Sequence, residues 1–306
     1  MIHVIGNAAI DTIIGVDRFA RPGETIVARS SSEDLGGKGA NQAIAAARCG
    51  AQVRLVAAIG ADAMGERIRS ALGAEGVLTD GLGVSPHGTD RCVILVDRQA
   101  ENMIVSLIDA AQNFDPIADA GFGASIRPGD WVVMQGNLRS GVTRRCLALA
   151  RSRGATTALN PSPASPQADY DWSLVDLAIL NRAEAVELAG GDPDQAARNL
   201  RQKGAGAAVV TLGAEGCAFA CADAAFRVPA VRAEAIDTVG AGDVVCGTLI
   251  AARALGRGWR EALGAAAAAA SVCVARKGVL ASFPSRAEMA KILGRAAPRT
   301  GMEHRP

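Results

Sequence analysis

Apolar runs of strand length alternate with amphipathic stretches along most of the chain, the pattern of βαβ units around a mainly parallel sheet. The runs at residues 3–6, 53–59, 130–135, 156–160, 177–181 and 208–212 predict core strands, and the apolar stretch 244–255 predicts a buried helix. A helix is also expected over 43–49, stopped by Gly50. Two regions break the alternation. Residues 24–34, and the pair 91–96 and 102–107 joined by Asp97-Arg98-Gln99-Ala100-Glu101, read as antiparallel strands without a crossover helix. The alternative for them is a hairpin exposed on the main sheet, although open apolar edges are usually covered.

Composition narrows the classes. With 306 residues and 49% hydrophobic content the chain can bury one large core. Basic and acidic residues nearly cancel, 32 against 31, and no basic run stands out, so nothing electrostatic argues for a nucleic-acid partner. The first residues enter a strand with no signal-peptide pattern. The alanine-rich stretch 262–274 is too short and too weakly apolar for a membrane span and reads as a buried helix. Cysteines at 49, 92, 146, 217, 221, 246 and 273, odd in number and irregular in spacing, predict free thiols in a reducing compartment and a cytoplasmic protein. Cys217 and Cys221 lack a second ligand pair at zinc spacing, and His3, His87 and His304 lie far from any acidic or nucleophilic motif.

The candidate chemistry begins at Asp237-Thr238-Val239-Gly240-Ala241-Gly242-Asp243, where two glycines and a carboxylate open an apolar helix. Glycine admits backbone angles that turn successive N–H groups toward one point, and the first N–H groups of a helix lack intrahelical partners. An anion is favoured there, and Asp243 beside it suggests a base next to a transferring phosphoryl group. The structural alternative is a glycine-softened turn with Asp243 as its N-cap. A second polar helix entrance is Gly36-Gly37-Lys38-Gly39-Ala40-Asn41-Gln42. It lacks the spacing of a P-loop, and its Asn41 amide suits a hydroxyl-rich ligand as well as a phosphate.

Together these segments resemble the paired signatures of the PfkB family of carbohydrate kinases, the ribokinase-like fold. The likeness extends in chain order through Gly6-Asn7-Ala8-Ala9-Ile10-Asp11, Pro22-Gly23-Glu24-Thr25, Ile59-Gly60-Ala61-Asp62-Ala63-Met64-Gly65, Asn160-Pro161-Ser162-Pro163, Asn181-Arg182-Ala183-Glu184, Thr211-Leu212-Gly213-Ala214-Glu215-Gly216, and Arg276-Lys277-Gly278 followed by Ser282. The resemblance implies a three-layer α/β/α fold over residues 1–306, one kinase domain with a mainly parallel central sheet. Segments at roughly 12–35 and 90–108 would form a small β-sheet lid over the sugar and a homodimer interface.

The same resemblance implies ATP and a small sugar as ligands, with Mg2+ and K+. Asp243 would be the base, and backbone N–H groups from Val239 through Gly240 and Ala241 to Gly242 would hold the growing charge. Asp11, Gly37, Lys38, Asn41 and Asn137 would bind the sugar, and Thr211, Gly213 and Gly216 the nucleotide. Glu184 would hold magnesium through water, with Asn181 beside it. Potassium would lie behind the anion pocket on the carboxylate of Asp237, the carbonyls of Val239, Cys273, Arg276 and Gly278, and the hydroxyl of Ser282. On the residues alone, plainer readings stay open: Asp11 as a turn cap, Lys38 serving solvent, Asn181 closing a strand, Glu184 on an exposed helix face, Asp237 as an acceptor for its own loop.

Two positions depart from the ribokinase branch of the family: Ala9 stands for an Asn and Asn137 for a Glu at the sugar wall. The expected reaction is transfer of the γ-phosphate of ATP to the primary hydroxyl of a furanose, D-ribose first. A nucleoside or pseudouridine kinase on the same scaffold is the alternative, and an inactive sugar sensor a third reading. The alanine run 265–270 replaces an Asn near adenine and leaves the donor nucleotide open.

Overall fold

The computed structural model describes residues 1–295 apart from Ala100, Asp119, Pro166 and Gln167, so His304 and one residue of the second lid hairpin lie outside it. The chain runs β1 (Ile2–Ile5), β2 (Ala9–Gly15), β3 (Ser30–Gly36), α1 (Lys38–Arg48), β4 (Val53–Gly60), α2 (Ala63–Ala74), β5 (Leu78–Ser85), β6 (Asp90–Val96), β7 (Asn102–Leu107), α3 (Asp109–Gln112) and α4 (Ala120–Ser125). It continues through β8 (Trp131–Gln135), α5 (Ser140–Ser152), β9 (Thr156–Asn160), β10 (Leu177–Asn181), α6 (Arg182–Ala189), α7 (Pro193–Gln202), β11 (Ala207–Thr211), β12 (Cys217–Cys221), β13 (Ala225–Val228), α8 (Ala241–Ala254), α9 (Trp259–Val274) and α10 (Arg286–Arg295).

The main sheet has the order β13-β12-β11-β10-β9-β8-β1-β4-β5. Its neighbours are parallel except at β12, which is antiparallel to both β11 and β13. The six expected core strands appear within one residue at each end. Their near-continuous apolar character follows from burial on both faces. In β4, for example, Val53, Leu55, Ala57 and Ile59 pack in the layer of α1, α2, α8, α9 and α10, whereas Val56 joins Ile5 in the layer of α5, α6 and α7. Each fully buried Val, Leu or Ile among them contributes about 1.5–3 kcal/mol of burial free energy. The alanine-rich stretch is the interior of α9, buried as expected, and no described helix is long and apolar enough to cross a membrane.

Both helices next to the glycine motifs begin earlier than their apolar runs suggest: α1 at Lys38 and α8 at Ala241. Their first turns carry glycines and polar groups, so hydrophobic periodicity misses them. The second sheet has the order β3-β2-β6-β7 and corrects the expected lid twice. Its first return strand is Ser30–Gly36, and residues 24–29 have no regular structure. It is also not wholly antiparallel, because β2 pairs with β6 in parallel, Ala9 with Asp90 through Gly15 with Val96. Both strands climb out of the main sheet in the same sense, and only their returns, β3 and β7, run back.

Candidate active site

Strand order reverses between β1 and β8, because the chain builds outward from β1 through β4 to β5 on one side and from β8 through β11 on the other. In an open parallel sheet the crevice beyond the carboxyl ends at such a point is where ligands bind. The glycine motifs converge on this crevice. Asp243, in the first turn of α8, is 7% exposed; its Oδ2 accepts from Asn41 Nδ2 at 3.0 Å and its Oδ1 from Gln42 Nε2 at 3.0 Å. It is therefore not the N-cap. That position belongs to Gly240 in the left-handed region, φ 79°, where a Cβ would lie 2.8 Å from the Phe283 ring.

The anion trap is narrower than four successive N–H groups. The Val239 N–H donates to Asp237 Oδ1 at 3.0 Å and the Ala241 N–H to the Thr238 carbonyl at 3.3 Å. Gly240, Gly242 and Asp243 keep N–H groups without a partner among the described residues. Gly242 is exposed, and a Cβ built on it would meet nothing within 4 Å. Open space over unpaired donors at a helix N-terminus fits the oxygens of a phosphate.

Across the crevice, Gly37 caps α1 with φ 89° and would bring a Cβ within 2.8 Å of Ala8 Cα. Gly36 lies against the Asp11 carboxylate, 2.2 Å from where its Cβ would stand. Burial, with the Asp34 and Asp243 carboxylates nearby, outweighs the Cys92 thiol and Lys38 and pushes the Asp11 carboxyl up to about 6. Asp11 Oδ1, Asn41 Oδ1 and Asn137 Oδ1 are buried acceptors without a partner. Such atoms are costly unless a ligand supplies donors, and sugar hydroxyls do so. Half-buried Lys38 makes no hydrogen bond or ion pair within the chain's described residues.

The remaining motifs divide. Asn181 ends β10 and closes a capping box: its side chain accepts from the Glu184 N–H at 2.9 Å, while Glu184 Oε2 accepts from the Asn181 N–H at 2.8 Å. Glu184 is buried, not on an exposed helix face. Thr211 ends β11 beside Asn181 in register, and Gly213 and Gly216 shape the next turn with φ 60° and 92°. Arg182 and Glu215 form an exposed ion pair across this side. Behind α8, Asp237 Oδ2 accepts from the Gly278 N–H at 3.1 Å, Cys273 Sγ lies 3.2 Å from Ser282 Oγ, and that hydroxyl donates to the Val279 carbonyl at 2.7 Å. The Arg276 guanidinium pairs with Glu288, and its backbone N–H donates to the Cys273 carbonyl at 3.1 Å. No group of three or more His, Cys, Asp or Glu residues among those described is placed to hold a metal ion.

Sequence reasoning passed over three amides. Gln42, Gln135 and Asn160 are buried beside Asp243 and bonded to one another. Two signals pointed toward them: Gln42 stands next to Asn41 at the same helix entrance, and Asn160 opens the motif Asn160-Pro161-Ser162-Pro163.

The fold and crevice define a kinase of hydroxyl-bearing small molecules, and residues 1–286 match the pfkB family of carbohydrate kinases. The chain belongs to that family. It is similar to the ribokinase of Haemophilus influenzae, 32% identical over 300 residues that cover 96% of this chain and 98% of that one. Among solved structures, the ribokinase of Thermotoga maritima superposes with a TM-score of 0.87 at 26% identity, covering 96% of this chain and 99% of that one. The ribokinase of Arabidopsis thaliana, complexed with ribose and ATP, gives 0.86 at 27% identity, covering 95% and 98%.

Proposed function

We propose that this protein is an ATP-dependent sugar kinase that transfers the γ-phosphate to the primary hydroxyl of a furanose, D-ribose first. The observation that carries the reading is the buried Asp243 carboxylate, set among unpaired N–H groups on one side and three unpartnered acceptors, Asp11, Asn41 and Asn137, on the other. Asp243 takes the proton of the attacking hydroxyl, and the free N–H groups of Gly240 and Gly242 meet the charge that grows on the transferred group. Asp11, Asn41 and Asn137 accept from sugar hydroxyls, while Lys38 donates. Thr211, Gly213 and Gly216 form the floor for the nucleotide. Asn181 and Glu184 would hold magnesium through water, and that ion would neutralise phosphate charge.

Potassium is assigned to the loops behind α8, on the Asp237 carboxylate, the carbonyls of Val239, Cys273, Arg276 and Gly278 and the Ser282 hydroxyl; the hard oxygens of Asp237, which draws in the Val239 and Gly278 N–H groups, and of Ser282 beside Cys273 support that reading. We assign homodimer formation to the lid, on the exposed apolar side chains Met103, Ile104, Val105 and Leu107 of edge strand β7. The match of one family model over residues 1–286 supports a single kinase domain, and the seven free thiols support a reducing, cytoplasmic location.

ADP release measured across pentoses, hexoses and nucleosides tests the substrate class. Ribose is expected to lead, and nucleosides turned over far faster would reverse the order. That second reading is favoured specifically by Ala9 and Asn137, where a polar group is missing and an amide replaces a carboxylate. The double change Asn137→Glu with Ala9→Asn then raises ribose kcat/KM only if ribose is not the native substrate, by about 1–3 kcal/mol per matched contact. Turnover above a magnesium-free control disposes of the inactive sensor.

A further inference from the structure

Four elements send buried polar side chains into one small volume beneath the crevice: Gln42 from α1, Gln135 from the end of β8, Asn160 from the end of β9 and Asp243 from α8. Their hydrogen bonds have a definite direction, and the direction is set at one end. Asn160 Nδ2 donates to the Ile179 carbonyl at 2.9 Å. A carbonyl only accepts, so the Asn160 amide is fixed with Oδ1 toward Gln42. Gln42 must therefore present its Nε2, which donates to Asn160 Oδ1 at 2.9 Å and to Asp243 Oδ1 at 3.0 Å. Its Oε1 faces the other way and accepts from Gln135 Nε2 at 3.0 Å. A flipped Gln42 amide would set oxygen against the oxygens of Asn160 and Asp243.

Packing holds the chain in place. At Gly247, one helical turn beyond Asp243, a Cβ would lie 2.6 Å from the Gln42 carbonyl, so glycine is what lets α1 and α8 approach this closely. At Gly6 a Cβ would lie 1.9 Å from Gln135 Oε1, so glycine there makes room for the carboxamide. Asn41 occupies the other carboxylate oxygen, at 3.0 Å, and its own Oδ1 is left free. Gln42, 1% exposed, has no such free atom.

We infer that Gln42 is a positioning residue for phosphoryl transfer: held by Asn160 and Gln135, it ties down Oδ1 of the Asp243 carboxylate so that Oδ2, which accepts one hydrogen bond from Asn41, turns its remaining lone pair to the substrate hydroxyl. Gln135 lies two residues before Asn137, so the same chain ties the carboxylate to the sugar wall. The inference rests on the reading of Asp243 as the base. Gln42 never touches the sugar; its whole effect passes through Asp243.

The test is Gln42→Met, similar in length without the N–H donors, and Gln42→Glu, which keeps the shape and puts oxygen where nitrogen was. Both are measured on the full chain with sugar and ATP, in the native background and in Asp243→Asn. The expected result is a kcat lower by about 10- to 100-fold, with KM for sugar and ATP changed less than about threefold. Gln42→Glu falls at least as far, and Gln135→Met falls less in the same direction. In the Asp243→Asn background, Gln42→Met removes little more activity, because the group it orients is already gone. A purely structural Gln42 would lower activity by the same factor in both backgrounds, and that outcome overturns the inference. So does a Gln42→Met enzyme with native kcat beside an inactive Asp243→Asn. An active Asp243→Asn overturns the base reading itself, and this inference with it. Should Gln42→Met not fold, Gln135→Met carries the same comparison, because it releases the Gln42 amide while leaving both Gln42 donors present.

Discussion

The two helix entrances read alike in sequence and use their glycines for opposite reasons. At α1, Gly36, Gly37 and Gly39 are hemmed in: side chains there would strike the Asp11 carboxylate, Ala8 and the Asn7 backbone at 2.2, 2.8 and 2.6 Å. At α8 only Gly240 needs a left-handed backbone, and Gly242 faces open space. The first set lets the lid strand, the loop after β1 and a helix close on one another, whereas Gly242 leaves room for something outside the protein. A glycine pair at a helix start is thus ambiguous until its neighbours are known.

That contrast breaks first at Asp243, the largest effect expected. Asp243→Asn keeps the shape of the α8 entrance and removes the proton acceptor, so kcat should fall by about 10²–10⁴ with nucleotide binding little changed. Retention of more than about a tenth of kcat would move the chemistry elsewhere.

Alanine at the two entrances sharpens the comparison. Gly37→Ala should cost stability outright, because φ 89° and the clash with Ala8 add about 1–3 kcal/mol of strain and lower Tm by several degrees. Gly242→Ala should fold at least as stably, with alanine favoured in a helix by up to about 1 kcal/mol, and yet lose kcat as its methyl enters the phosphate's space. If Gly242→Ala turns over normally, or if Gly37→Ala melts like the native protein, the two entrances do not differ in the way described.

Protonation supplies a smaller effect, on the α1 side alone. With its carboxyl raised to about 6, Asp11 is protonated below that pH and cannot accept from two hydroxyls, so sugar kcat/KM should rise as pH climbs through about 6 and then level off. Asp11→Asn should flatten that limb. For the free protein the sign is opposite. Between the ordinary value of 3.8 and about 6 the folded chain binds more protons at Asp11 than the unfolded one, so stability falls as pH rises through that window. Asp90, also raised to about 6 by burial, titrates in the same range, and Asp11→Asn separates the two by Tm against pH.

The smallest change is expected from exchanging sodium for potassium at constant ionic strength, a few-fold rise in rate that screening cannot produce. Equal rates in both salts, with Asp237→Ala unaffected, would remove the ion and leave Asp237 as an acceptor for its own loop.

Much of the fold was legible because burial on both faces writes parallel strands as plain apolar runs, such as Leu-Ala-Ile-Leu at 177–180. The lid was legible less well. Its half-exposed strands carry weaker patterns, and the parallel contact of β2 with β6 joins residues some eighty positions apart, beyond any local signal. The glycine motifs put Asn41 and Asp243 at helix entrances, where α1 and α8 carry them, whereas Asp11 came from the family resemblance and lies in strand β2.

By itself the sequence determined the mainly parallel sheet through local periodicity, and through short motifs the position of the crevice-forming glycines and the family, whose resemblance implied the layers. The tertiary structure decided which N–H groups near Asp243 are free, that Asn181 and Glu184 first serve each other, and that Gln42, Gln135 and Asn160 form one directed chain. Hydrogen-bond partnership between residues 42, 135, 160 and 243 depends on how four elements meet at the switch point, and no local pattern encodes where an amide will point once they do.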